Sequence, residues 1–376
     1  MSSIWGNNIK ISLFGESHGQ AVGVNIDGLP AGIHLDLESI EEEMARRAPG
    51  RDNISTSRIE EDKFEILSGY FNEKTTGTPL CAIIKNKDSK SKDYEKNKNL
   101  LRPGHADFTG NRKYYGNNDY RGGGHFSGRM TAPICFAGAL AKQILQLKGI
   151  IIGSHIKSIY NIEDSPFNDR DITPEFLSSL KLNKIQTIDK EKKILMEEVI
   201  LKAKEEGDSV GGVVELAIIN LPPGIGSPFF NSVESNLSQM MFSIPGVKGV
   251  EFGRGFDITR IKGSQANDEF YAENGEIKTY TNNSGGILGG ITNGMPIIFR
   301  VALKPTPSIG KVQKTVDIAD VENKEIKIEG RHDPCIVVRA VPVLEGAAAI
   351  VLLDLLMEMN KDEEFRRSEI RNRQDR

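Results

Sequence analysis

The chain has 376 residues, 38% hydrophobic and 27% charged, enough to bury a large core as one big domain or two. A formal net charge of −4 excludes a global basic field for nucleic acid, so basic groups that matter must act locally. Cys81, Cys135 and Cys335 are odd in number and in no CxxC spacing, which argues against a disulfide frame or a cysteine zinc site and for small buried side chains in a reducing, cytoplasmic setting.

In chain order, the apolar run Ile9 to Phe14 reads as a strand, and the turn Gly15-Glu16-Ser17-His18-Gly19 follows it. A histidine between glycines has little crowding, so a ligand can approach it closely. Asp36 is a candidate N-cap for a helix over Leu37 to Arg47, stopped by Pro49-Gly50. The charged stretch Lys85 to Asn99 reads as a solvated loop, with a lid as the alternative. Thr131 to Leu147 reads as a helix, with Pro133 in its first turn and Gly149 past its end. Lys190 to Glu206 is a further helix behind Asp189. Val213 to Asn220 and Pro296 to Leu303 read as strands. Pro342 to Met359 is an apolar helix. Within it Ala347 to Met357 contains Asp354 and is too short to span a bilayer; no signal peptide is visible either, so a membrane is not expected as a partner. Lys361 to Arg376 is expected to be a polar tail that frays.

The sequence repeats itself. Gly15-Glu16-Ser17-His18-Gly19 returns as Gly207-Asp208-Ser209-Val210-Gly211. At the same spacing Leu29-Pro30-Ala31-Gly32-Ile33 returns as Leu221-Pro222-Pro223-Gly224-Ile225. Glu38-Ser39, Met44 and Pro49-Gly50 match Glu234-Ser235, Met240 and Pro245-Gly246, and Thr76 to Leu80 resembles Asn293 to Ile297. His332 is a rough counterpart of His105. The expected fold is therefore α+β, with two similar halves (about 1–150 and 200–360) in a single catalytic domain of residues 1–360. Packed about a pseudo-two-fold axis, the halves would bring equivalent turns together around one site.

Three of the six histidines sit in glycine-rich turns beside Arg or a carboxylate: His18, His105 in Arg102-Pro103-Gly104-His105-Ala106-Asp107, and His332 in Gly330-Arg331-His332-Asp333-Pro334. Arg46, Arg47, Arg51, Arg58, Arg102, Arg121, Arg129, Arg331 and Arg339 lie in or beside such turns, and converging guanidinium forks suit a small polyanion. Arg121-Gly122-Gly123-Gly124-His125-Phe126-Ser127-Gly128-Arg129 runs straight into the helix at Thr131, an anion cradle that is neither a Walker A loop nor a dinucleotide GxGxxG. Lys304-Pro305-Thr306-Pro307-Ser308 is a second phosphate-suited loop. His18 and His105 are candidate general acids, and Asp333 beside Arg331 is a candidate base. The His and Asp spacings match no familiar metal set, and Ser17 lacks a nucleophile-elbow setting, so neither a metal site nor a hydrolase is expected.

These residues resemble the chorismate synthase family over nearly the whole chain, from Gly15 to about Leu356. Gly15 to Gly19 with Asp27-Gly28-Leu29-Pro30 is similar to its N-terminal signature. Arg102 to Asp107 with Tyr120 to Gly124 is similar to its central one, and Gly330 to Cys335 with Arg339-Ala340-Val341-Pro342-Val343 to its C-terminal one. The resemblance implies a β-α-β sandwich fold, a homotetramer, and conversion of 5-enolpyruvylshikimate 3-phosphate to chorismate and phosphate by anti-1,4-elimination. It implies reduced FMN as cofactor, with no net redox change. By position, His18 would protonate the reduced flavin, His105 would protonate or hold the departing phosphate, and Asp333 would take a proton from flavin N5. Ser17, Arg47, Arg58, Arg102, Arg129 and Arg331 would bind substrate. His125, Phe126, Ser127, Gly246, Gly289, Lys304, Pro305, Thr306, Pro307, Ser308 and Arg331 would line the flavin site.

The chain departs from the family pattern at His125 to Met130, where the family usually has Arg-Ser-Ser-Ala-Arg-Glu, at Asn53, where many members carry Arg, and at Asn25. His125 and Arg51 are the candidate substitutes for the missing groups. Some members reduce flavin with NADPH through extra sequence; none is visible here, so an external flavin reductant or reductase is the expected partner. A distinct phospho-lyase on the same scaffold, or a polyanion- or flavin-binding protein without activity, remain the alternatives.

Overall fold

The computed structural model describes residues 3–50, 54–56, 60–87, 98–328 and 332–374, with side chains up to residue 361. Arg51, Asn53, Arg58 and Arg331, and most of the Lys85 to Asn99 loop, lie outside the described residues.

Two five-stranded antiparallel sheets form the outer layers. The first has the order Ile4–Trp5, Lys10–Gly15, Ala21–Asp27, Leu80–Lys85, Phe64–Ser68. The second has the order Val247–Phe252, Ile297–Leu303, Gly212–Ile219, Ile151–Ile159, Ile162–Glu163. Reversed, the second order repeats the first. Ala21–Asp27 and Gly212–Ile219 sit at the centre of their sheets, each paired to the strand that follows the Thr76 or Asn293 segment. In Ala21–Asp27 the alternation of Val22, Val24 and Ile26 puts one β-branched row into the core.

Helices fill the middle. Thr131–Gln146 packs on the first sheet with Leu37–Arg47 beside it, and the start of Val337–Gln374 packs on the second with Val233–Ser243 beside it. The two core helices then pack on each other, giving an α+β sandwich of two similar halves. They touch through Gly138 and Gly346: a Cβ on Gly138 would stand 2.2 Å from the Gly346 Cα. Local signals hold at the helix starts. The Asp36 carboxylate accepts from the Ser39 N–H and that of Asp189 from the Glu191 N–H, both as N-caps.

The last helix differs most from expectation. It begins at Val337, carries Pro342 inside it, and continues to Gln374 in place of a frayed tail. Its part Val337–Lys361 has the length and composition of a membrane span, yet 94% of its most apolar window is buried between the sheets, so it is a core helix. Two carboxylates survive in that apolar setting because each is satisfied. Asp354 accepts from the N–H groups of Asn7, Asn8 and Ile9 at 3.1, 2.6 and 2.7 Å, tying the N-terminal loop down. Glu345 accepts from Arg46 at 2.8 Å, Lys142 at 2.6 Å and the Ser154 hydroxyl at 2.7 Å. Burial would push the Glu345 carboxyl up, but Arg46 and Lys142 outweigh it and hold it well below the usual range. All three cysteines are free. Burial pushes the Cys135 and Cys335 thiols up to about 12, so both behave as inert core side chains.

Candidate active site

At one end of the two core helices the loops of both halves close around a cavity of about 420 Å³. Ser17 and His18 reach it from the turn between Lys10–Gly15 and Ala21–Asp27. Arg47 comes from the end of its helix, and Arg102 and His105 from the turn ahead of Asp107–Lys113. Phe126, Ser127 and Arg129 come from the approach to Thr131. The second half adds Gly246, the whole of Lys304 to Ser308, and Asp333. His18, His105 and Asp333 thus share one cavity although they span most of the sequence.

His18 is nine-tenths buried against the glycine loop. Gly122 has φ +62°, and a Cβ there would lie 2.3 Å from the His18 Nε2, so only glycine lets this ring edge sit where it does. The Ser17 N–H donates to the Gly124 carbonyl at 3.2 Å, fastening the turn to the loop. Elsewhere in the lining the His105 Nε2 is 2.6 Å from the Ser308 hydroxyl, and the Lys304 ammonium donates to the Gly104 carbonyl at 2.6 Å. Arg102 forks onto Asp107 at 2.8 and 2.7 Å and stays half-buried beside His105. Burial, then the Arg102 guanidinium, pushes the His105 imidazole down to about 4; Asp107 pulls the other way, and Lys304 and His332 add to the fall. Expected as an acid near neutral pH, His105 is therefore neutral at pH 7 until a negative charge arrives beside it.

Arg47 and Arg129 meet on one buried carboxylate, Asp62, and Arg129 also pairs with Glu60 at 2.7 Å. Burial would raise Asp62, but the two guanidinium groups hold it below the usual carboxylate range. Arg129 is further fixed by the Asn86 side chain at 2.9 Å. Asp333 accepts from the Thr56 N–H at 2.8 Å and from Arg339 Nη1 at 2.5 Å.

The structure does not bring two other sequence-picked residues to the cavity wall. His125 is turned away, its Nδ1 2.8 Å from the Gly15 carbonyl and its Nε2 3.0 Å from the Ser3 hydroxyl. Gly289 sits at the tip of the hairpin Ile287–Leu288 and Ile291–Thr292. Arg58 and Arg331 lie outside the described residues. Among residues left off the site, Glu60, Thr56 and Arg339 line the cavity and Asp62 stands behind it. Only Arg339 carried a sequence signal, as one of the arginines near a glycine turn. Asp62 lies in no motif, and its backbone φ of +52° is visible only in three dimensions.

No group of three or more His, Cys, Asp or Glu suited to a metal occurs among the described residues. A flavin phosphate or ring has fitting partners. The Thr306 hydroxyl is buried on the cavity wall with no hydrogen-bond partner among the described residues, an orphan that a bound polar ligand would satisfy.

The chain is similar to known proteins along nearly its whole length. The sequence model of the chorismate synthase family matches residues 9–357. A chorismate synthase of Methanosphaera stadtmanae is 47% identical over 349 residues, covering 93% of this chain and 94% of that protein. One of Thermococcus kodakarensis is 46% identical over 352 residues, covering 94% and 97%. A crystal structure of a chorismate synthase superposes with a TM-score of 0.75 at 32% identity, over 94% of this chain and 93% of that one. A family match along almost the whole length, with the same fold, places the chain in the chorismate synthase family.

Proposed function

We propose that this chain converts 5-enolpyruvylshikimate 3-phosphate to chorismate and phosphate by anti-1,4-elimination with reduced FMN. The observation that carries the reading is the convergence of His18, His105 and Asp333 with the Lys304 to Ser308 loop around one cavity, in a chain of this family. Lys304 to Ser308, Gly246, Phe126 and Ser127 would hold reduced FMN, which would supply transient electron donation so that phosphate can leave without net oxidation.

Arg102, Arg47 and Arg129 bind the substrate's phosphate and carboxylates. A dianionic phosphate beside Arg102 and Lys304 cancels the charges that depress His105. The imidazole then gains a proton and donates it to the departing oxygen. His18, wedged against Gly122, supplies a proton to the flavin edge. Asp333, which lines the same cavity, would be the proton acceptor at the position of flavin N5.

Residues 1–360 act as one catalytic unit in this reading, because both halves line the cavity. In this reading reduced flavin comes from an external reductant or reductase. A homotetramer accords with Phe229 and Phe230, which are 85% and 97% exposed, the first at a left-handed backbone position, and offer apolar surface to another copy. The free thiols accord with a cytoplasmic setting.

An anaerobic assay with dithionite-reduced FMN and the enolpyruvyl substrate, following chorismate absorbance, tests the reading. His18→Ala and Asp333→Ala should each lower turnover at least about a hundredfold. No chorismate from folded, FMN-bound protein would overturn it, as a different phospho-lyase or an inactive binding protein would behave that way. Turnover with NADPH and oxidised FMN alone would refute the external reductant.

A further inference from the structure

We infer that Arg339 is the positioning residue for the Asp333 carboxylate, an inference that rests on the reading of Asp333 as the proton acceptor. Asp333 lies in the segment ahead of the helix Val337–Gln374, where no secondary structure fixes it. Two donors do so. Arg339 Nη1 donates to Oδ2 at 2.5 Å and the Thr56 N–H to Oδ1 at 2.8 Å. Arg339 is itself anchored, because its Nε donates to the Arg47 carbonyl at 3.0 Å, at the end of the helix Leu37–Arg47. The carboxylate of one half is thereby referenced to the backbone of the other, next to an arginine that lines the same cavity.

The geometry leaves the carboxylate usable. A carboxylate offers about four lone-pair positions, and these two donors occupy one on each oxygen. A Lys in place of Arg339 keeps a charge but has no fork, so it cannot reach the Arg47 carbonyl and Asp333 in the same arrangement. The Arg339 side chain keeps 20% of its surface exposed. It walls both the active-site cavity and a second cavity of about 310 Å³ lined by Arg46, Lys181, Lys184 and Cys335. The cations there do not make that cavity an anion site, since Arg46 and Lys181 already pair with Glu43. Its consequence is access: a small cation can enter the space that truncation of Arg339 would open.

The test compares R339A, R339K and D333A, assayed with reduced FMN and the enolpyruvyl substrate, with and without low-millimolar guanidinium chloride. R339A should lose about a hundredfold in kcat, as expected for a misplaced reacting group, with KM and FMN affinity within about threefold of the parent. Guanidinium should restore R339A at least about tenfold and leave D333A unchanged, a readout that a merely structural role would not give. Should R339A not fold, R339K reads the same split, with kcat down at least about tenfold at unchanged KM. The inference is overturned by kcat within twofold of the parent, by a KM rise in place of the kcat loss, or by a loss in R339A that guanidinium leaves untouched. If D333A also turns over normally, the reading of Asp333 has failed first; if D333A is inactive and R339K is not, only the inference has.

Discussion

The imidazole of His105 is held down by burial and by Arg102, which ties its proton to the folding equilibrium as well as to the ligand. Its folded pKa of about 4 lies below the ordinary histidine value of about 6.5, so between those values the unfolded chain binds a proton that the folded chain does not. This group's contribution therefore lowers stability as pH falls from about 6.5 to about 4, and is absent as a pH dependence above that window. Denaturant unfolding at several pH values checks this. The drop across that window should be smaller in His105→Gln than in the parent, and an equal drop in both would count against the depressed imidazole. The glycine-flanked histidines were legible in the sequence because each motif is local: Gly104 and His105 are adjacent, and Gly122 precedes its helix by a few residues. Asp62 was not, and Arg339 was legible only as one arginine among many, since the Thr56 to Asp333 bond and the meeting of Arg47 with Arg129 join residues far apart in the chain.

The helix pair at Gly138 and Gly346 is where element-level forces can be set against one another. Replacing a helical glycine by alanine gains about 1 kcal/mol of helix propensity. At Gly138 the new methyl would stand 2.2 Å from backbone, which no rotamer relieves, and such overpacking costs about 1–3 kcal/mol or more. At Gly346 the nearest atom would be 3.1 Å away, a gap that closes with a few tenths of an ångström of movement. Gly138→Ala should therefore destabilise the protein in chemical denaturation, and Gly346→Ala should be near neutral; the reverse order would contradict this crossing. Helix starts were readable from Asp36 and Asp189, whose caps are a matter of one side chain and three residues. The end of the last helix was not. Its polar composition suggested a tail, but the backbone runs on as helix to Gln374.

At the scale of the whole molecule, the strand order of one sheet is the reverse of the other and the repeated turns take equivalent places. In each half the turn bonds the segment leading into its core helix: the Ser17 N–H to the Gly124 carbonyl at 3.2 Å, and the Val210 N–H to the Pro334 carbonyl at 2.8 Å. The sequence showed the repeat because Gly and Pro mark it, but it did not show what the copy without a histidine is for. That copy braces the far wall. Ser209 donates to the Thr306 carbonyl at 2.6 Å, and Val210 holds Pro334 next to Asp333. Gly211 has no room for a side chain, since a Cβ there would meet the Leu303 carbonyl at 2.3 Å and the Pro305 nitrogen at 2.9 Å. Gly211→Ala should therefore weaken FMN binding by about tenfold, or ~1.4 kcal/mol, in a chain that still folds, as read by fluorescence titration; unchanged affinity would mean that the loop absorbs the shift. Duplication usually carries redundancy, one copy able to cover for the other. Here the two turns have become complementary parts, one bearing the imidazole and the other bracing segments that line the same cavity, so the protein carries no spare.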